Sequence, residues 1–427
     1  MEATFVRVVR YEVQAVCRTP LRSADGSRDP ESVLRRERDG RAFLQGASLA
    51  GALRSWCAAH VGPELTESLF GIRNRSGHLL VSNALFSEDA VAVTRPRLSV
   101  DRRTGSAAPP RKTTLAHICP GAALRFTLTW LGGREDGGEL AALERALGAL
   151  NAGEIRLGAL KSNGFGEVGL RVVRRVFDLF QAEDREAWLR DAPGGELLTL
   201  SVPAPARETV FTVTGRFDGI LVTSSARTYT DDSRAAGYQA NAEENGRKIL
   251  PAASVRGAVR ARAATISNWL CLDGSEISVL FGEPGQGGKS GTAGTARFED
   301  VRLDGTQRQV ARIRINRFTA GIVEQNLFFE KPLCCEVCFR IAVPSEDTAG
   351  CALMAYALRD LGLGLYSLGS GGSFGRGYLL SPAVDAMTPE GERARLRFDP
   401  ERGCTAEDPD EILSRWNRAL DGRRARS

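Results

Sequence analysis

"ASLAGALR" occupies residues 47–54, and "ASVRGAVR" occupies 253–260, 206 positions later. Both open on Ala-Ser and both place small or aliphatic residues three and four apart, the spacing that lays an apolar stripe along a helix. Three further landmarks return in the same order: "LFG" at 69–71 and 280–282, "VDR" at 100–102 against "INR" at 315–317, and Phe-Gly at 165–166 and 374–375. Their separations of 211, 215 and 209 stay close to the first. One short match arises by chance; four in one order indicate a duplicated module.

Working outward, each half has the same outline. A strand opens it, "FVRVVRYEVQAV" in the first half and "TVFTVTGRFDGILV" in the second, both alternating with period two. A polar loop of more than twenty residues follows, then a helix with Leu49, Ala52, Leu53 and Trp56 on one face, matched by Val255, Val259, Ile266 and Trp269. Ser48 and Ser254 are the expected N-caps. More strands lead to a second helix, with Leu140, Leu143, Leu147 and Leu150 in register, matched by "CALMAYALRDL". A glycine-rich loop and a last strand close each half. Strand–helix–strands–helix–strand is the order of an α+β, ferredoxin-like (RRM-like) domain. The expected division is a first module over 1–180, a Pro- and Gly-containing connector over 181–208, a second module over 209–385 and an extension over 386–427. The basic end, "LDGRRARS", reads as a loose tail.

The composition is that of an ordinary globular chain of 427 residues, 42% hydrophobic and 26% charged. Its net charge of +5, from 57 Lys and Arg against 52 Asp and Glu, is compatible with an anionic partner without requiring one. Nine cysteines, mostly isolated within apolar patterns, indicate a reducing compartment. With no signal-type start and no membrane-length apolar run, a cytoplasmic protein with no membrane partner is expected. Cys334, Cys335 and Cys338 cluster in "KPLCCEVCFRIAV", but no second Cys or His pair follows at finger spacing, so a buried strand is expected there and zinc is not. "GQGGKSGTAG" at 285–294 resembles a phosphate-binding P-loop, yet Glu283 stands where that motif needs glycine.

The glycine-rich stretches are "GALKSNGFGEVGL" (158–170) and "SLGSGGSFGRGYL" (367–379). Such loops bring backbone N–H groups close to a phosphate, with Lys161, Ser162 and Asn163 adding donors in one copy and Ser370, Ser373 and Arg376 in the other. A tight helix-to-strand turn would use the same residues; the repetition favours the phosphate reading.

The ordered series of "GASLAGALR", "LFG" and "SNGFGEV", returning as "PAASVRGAVR", "LFG" and "GGSFGRG", resembles the RAMP superfamily. It is similar in particular to the backbone subunits of type III CRISPR effector complexes, with two copies fused in one chain. Two departures stand out: Gln45 precedes the first helix where the family has Pro, and Ala252 replaces the family's Gly in the second. The resemblance implies two tandem RAMP domains, each with a ferredoxin-like palm, a protruding thumb and a C-terminal glycine-rich loop. It also implies a guide-RNA ligand, a target RNA and neighbouring complex subunits as partners, and metal-dependent cleavage of the target by an Asp in the loop before the first helix.

Acidic residues are present there. The first loop, "RSADGSRDPESVLRRERDG", offers Asp25, Asp29 and Glu31; the second offers Asp231 and Asp232. Alignment from the strand selects Asp25 with Asp231 as candidate ligands for Mg²⁺ or another divalent cation, whereas alignment back from the helix selects Glu31. Only His60, His78 and His117 exist, and neither loop holds one, which disfavours histidine acid–base cleavage. For phosphate contacts the candidates are Ser48, Arg54, Ser254, Arg256, Arg260 and Arg262 on the helices and Arg102 and Arg317 in the strands, a sequence-independent mode of binding. Phe318, Phe328 and Phe329 either wedge or stack against bases or pack as core at the root of the thumb. Two other functions fit the same residues: a scaffold without catalysis, and an endoribonuclease that processes guide precursors without metal.

Overall fold

In the computed structural model the described residues are 5–23, 34–100, 107–201, 207–222, 238–283, 291–313, 315–322, 328–399, 401 and 403–423. The described residues divide near Ala204 into two compact units, each with its own hydrophobic core, except that 99–100, 107–108 and 162–164 group with the second unit.

In the first unit the opening strand Arg7–Cys17 lies at the centre of an antiparallel sheet, between strands Ala123–Gly132 and Val168–Asp178. Its alternating side chains bury Val9, Tyr11, Val13 and Ala15, which is what period-two patterning on a one-faced sheet requires. Strand Ala84–Phe86 pairs on the far side of Ala123–Gly132. Helices Gly46–His60 and Glu139–Ala152 connect the strands. The strand closing the unit, the opening strand, the third and the second thus run in the spatial order 4-1-3-2, the ferredoxin-like order expected from the sequence. Leu140, Leu143, Leu147 and Leu150 are all buried, as their spacing predicts.

The second unit repeats the arrangement. Strand Glu208–Ile220 sits between Leu333–Pro344 and Leu379–Met387, with Arg297–Phe298 beyond Leu333–Pro344. Helices Ala252–Trp269 and Thr348–Gly362 occupy the equivalent connections. The "CCEVC" run is a strand: Cys335 is buried, Cys334 half-buried and Cys338 exposed, so the three thiols do not share one face. Burial pushes the Cys335 thiol up to about 11 and also raises that of Cys334, which donates to Asp218 Oδ1 at 3.3 Å.

Both flanking segments are more ordered than their composition suggests. The expected connector holds helix Ala182–Leu189 and the short strand Glu196–Leu197, which pairs with Val168–Asp178. Trp188 packs edge-on against Phe177 at 5.4 Å, with the Arg10 guanidinium 4.8 Å from its ring centre. The expected extension adds strands Arg393–Asp399 and Gly403–Glu407 to the second sheet and a helix, Ile412–Asp421. That helix buries Ile412, Trp416 and Leu420, and Trp416 meets Phe211 at 5.6 Å. Local composition hid these elements because their stability comes from tertiary burial. The tail beyond Arg423 lies outside the described residues. No helix among the described residues is long and apolar enough to cross a membrane.

Candidate nucleic-acid interface

The first helix of each unit starts differently from expectation. Helix Gly46–His60 has Gln45 at its N-cap and helix Ala252–Trp269 has Pro251, with nearly identical backbone angles. Ser48 and Ser254 therefore lie within the first turn, exposed, and cap neither helix. The caps come from distant loops. Asn83 Oδ1 accepts from the Gly46 N–H at 2.9 Å, and Asp300 Oδ1 accepts from the Ala252 N–H at 2.8 Å. Ala252 in place of glycine leaves this geometry intact, whereas Gly46 cannot change: a Cβ there would lie 2.4 Å from the Val81 carbonyl.

The "LFG" elements are the ends of the next helices, Pro63–Phe70 and Ser275–Phe281. Gly71 and Gly282 terminate them with positive φ. Each faces a second glycine that the sequence comparison did not single out, Gly77 and Gly294. A Cβ on Gly77 would come within 2.3 Å of the Leu69 carbonyl, and one on Gly294 within 2.4 Å of the Leu280 carbonyl. Both second glycines lie 217 positions apart, as do Asn83 and Asp300. The repeat was legible past this point only to someone who allowed the longer second loop, residues 283–293 against 72–76.

The two glycine-rich loops share one backbone plan. Leu157 N–H donates to the Gly166 carbonyl at 2.8 Å, and Leu368 N–H donates to the Gly377 carbonyl at 2.9 Å. Ala159 N–H donates to Arg22 O, and Ser370 N–H to Leu221 O, tying each loop to the chain just before its acidic loop. A short 3₁₀ turn follows in both, Lys161–Asn163 and Gly372–Phe374. The loop residues of these pairs, Leu157 and Leu368, Ala159 and Ser370, Gly166 and Gly377, all lie 211 positions apart, so Phe165 corresponds to Arg376 and Phe374 to Asn163. The Phe-Gly match at 209 is a coincidence of composition, two residues out of structural register. Gly166 and Gly377 are there for packing: with positive φ, a Cβ on either would sit 2.0 or 1.9 Å from the preceding leucine's carbonyl.

Next to each loop stands the root of a small sheet separate from the main one. In the first unit it is Ala92–Val100 paired with Ala107–Ile118, and the Arg95 guanidinium lies 5.4 Å from the Phe165 ring centre. Arg22, at its other side, donates to Ala116 O at 2.7 Å. In the second unit it is Val310–Arg312 paired with Phe328–Lys331, which also pairs in parallel with Tyr238–Ala240. Beyond that root the turn around Phe318 is held by Asn316 Oδ1, which accepts from the Phe318 N–H at 2.8 Å, and leaves Phe318 99% exposed. Phe318 therefore packs against nothing at this root, and Phe329 is partly buried within it.

The remaining candidates separate by exposure. Arg54, Lys161, Ser373 and Arg317 are exposed; Ser162, Arg260 and Ser370 are half-buried, and Asn163 is buried. Three arginines are held by the fold itself. Arg256 Nη2 donates to the Phe281 carbonyl at 2.5 Å, binding the helix to "LFG". Arg262 pairs with the fully buried Asp360 at 2.6 Å. Arg376 pairs with Glu330, itself 4% exposed. Ser370 Oγ likewise donates to Leu221 O at 3.0 Å. Trp269, placed by sequence on the buried face, is 66% exposed. Asp25, Asp29, Glu31, Asp231, Asp232 and Arg102 lie outside the described residues, as does most of the P-loop-like stretch. Among the described residues no three His, Cys, Asp or Glu side chains are grouped to hold a metal ion.

Comparison with known proteins agrees with the first unit's architecture. Residues 14–169 match the model of the RAMP superfamily. One chain in a cryo-EM structure of the Type III-B Cmr-beta bound to cognate target RNA is similar at 21% identity and a TM-score of 0.33. That similarity covers 40% of the present chain and 62% of the other, so less than two thirds of the other chain is spanned. No curated protein matches the sequence.

Proposed function

We propose that this protein is a double backbone subunit of a type III CRISPR ribonucleoprotein, with the second unit a further RAMP domain. Each unit holds guide RNA through its glycine-rich loop, first-helix arginines and projecting thumb, and neighbouring subunits complete the complex. The observation that carries this reading is the repetition of the glycine loop, its tie to the chain entering the acidic loop, and the adjoining thumb root in both units, beside a RAMP match over 14–169. Exposed Arg54, Lys161 and Arg317 supply phosphate contacts that are indifferent to sequence, and Phe318 is the wedge at the second thumb's tip. Base pairing to the guide then selects the target.

The acidic loops cut that target. Asp25 and Asp231 are assigned to a divalent cation, which supplies positive charge to the phosphate under attack. Asp29, Glu31 and Asp232 serve in the same loops. The test is cleavage of guide-paired target RNA by complex reconstituted with Asp25→Ala and Asp231→Ala, singly and together. We expect the double variant to lose at least about 100-fold in cleavage rate, the lower end of what a positioned catalytic group contributes, with target binding retained and wild-type cleavage abolished by EDTA. Unchanged cleavage by all loop-acid variants would leave a scaffold without catalysis; guide-precursor cutting in EDTA would favour the processing enzyme.

A further inference from the structure

The second glycine loop carries an aromatic ring that the first does not. Phe374 is 49% exposed, although Leu368 and Leu379 of the same loop are buried. Its ring is seated: a Cβ on Gly371 would meet Phe374 Cε2 at 2.5 Å and Cζ at 2.7 Å, so only glycine permits this approach. The Arg312 guanidinium lies over the ring, 3.7 Å from its centre, and that of Arg376 lies 5.3 Å away. Both guanidiniums pair with Glu330, Arg312 at 3.3 Å and Arg376 more closely. One carboxylate thus orients two cations, leaving the group with a net positive charge. Tyr378 Oη donates to Gly372 O at 3.1 Å and fixes the turn that presents the ring.

We propose that Phe374, backed by Arg312, is a stacking platform for one unpaired nucleobase, present in the second unit alone. An aromatic face on a cationic support suits a base, whose π-face stacks regardless of identity while the adjoining phosphate meets positive charge. Phosphate alone would need no exposed ring. In the other glycine loop the register position of Phe374 is Asn163, which is buried, and Phe165 is buried beneath Arg95. The inference rests on the RNA-binding reading and deepens it by distinguishing the two units.

The experiment uses the full chain and a series of single-stranded RNAs carrying 2-aminopurine at successive positions. Stacking quenches this base, so wild-type protein is expected to quench one position strongly. Phe374→Trp should retain that quench. Phe374→Leu, which keeps apolar bulk and the loop's packing, should lose it and weaken binding about tenfold, the scale of one aromatic–base stack. The slope of affinity against salt should not change, because no phosphate contact is removed. Quenching that is identical in wild type and Phe374→Leu overturns the platform while leaving RNA binding intact. Phe374→Leu disrupting association with protein while leaving the RNA signals unchanged overturns it in favour of a protein contact. Wild-type protein that binds none of the RNAs overturns the platform together with the RNA-binding reading.

Discussion

The glycine loops of the two units follow one backbone path and carry opposite side-chain arrangements. In the first, the aromatic Phe165 is inside, with Arg95 over it and the His117 ring 5.3 Å away. In the second, that position is Arg376, drawn to buried Glu330, and the aromatic has moved two residues back and outward as Phe374. What both loops keep is the glycine that lets the strand-entry backbone close on the preceding leucine, together with the tie to the chain before the acidic loop. The two loops thus share the scaffold that positions them and differ in the surface they present. The same contrast holds at the first helices: Gly46 is sterically obligatory and Ala252 is not, yet both receive a distant side-chain cap.

This comparison can be broken first at the glycines the two loops share. Gly166→Ala and Gly377→Ala each force a Cβ into a carbonyl oxygen at positive φ. We expect about 3 kcal/mol of destabilisation in either unit from strain and displaced backbone. Gly375 also has positive φ but faces no heavy atom within 4 Å, so Gly375→Ala should lose only about 1 kcal/mol. Thermal unfolding of the full chain checks the order; equal effects at Gly375 and Gly377 would show that close packing does not set the loop.

The caps sharpen the comparison with a smaller effect. Asn83→Ala and Asp300→Ala should each lose about 1 kcal/mol, the usual cost of removing a helix N-terminal acceptor. Asp300→Asn, which retains the acceptor, should keep most of that stability. Ser48→Ala and Ser254→Ala should change stability little, because neither serine caps its helix. A larger loss at the serines would return the cap to them.

Much of the fold was legible because its signals are local and repeated. Alternation in the opening strands, leucine spacing in Glu139–Ala152 and the order of landmarks predict the ferredoxin-like outline directly. The caps were not legible because Asn83 and Asp300 act from 37 and 48 residues away. Gly77 and Gly294 were hidden by unequal loops between them and "LFG". Phe374 was misaligned because identical Phe-Gly pairs outweighed the backbone hydrogen bonds that set the true register. Among the site residues, Arg54, Lys161 and Arg317 are exposed, whereas Arg256, Arg262 and Arg376 resemble them in sequence but are engaged by Phe281, Asp360 and Glu330. Sequence spacing identifies a cation; only packing tells whether the fold already holds it.

The most direct measurement is extraction and sequencing of the RNA that co-purifies with the protein from its native host. The account predicts short RNAs sharing a common repeat-derived end and differing in the remainder, as guides in a ribonucleoprotein would. Protein that purifies within its native assembly free of nucleic acid, or with RNA lacking any common end, would contradict it.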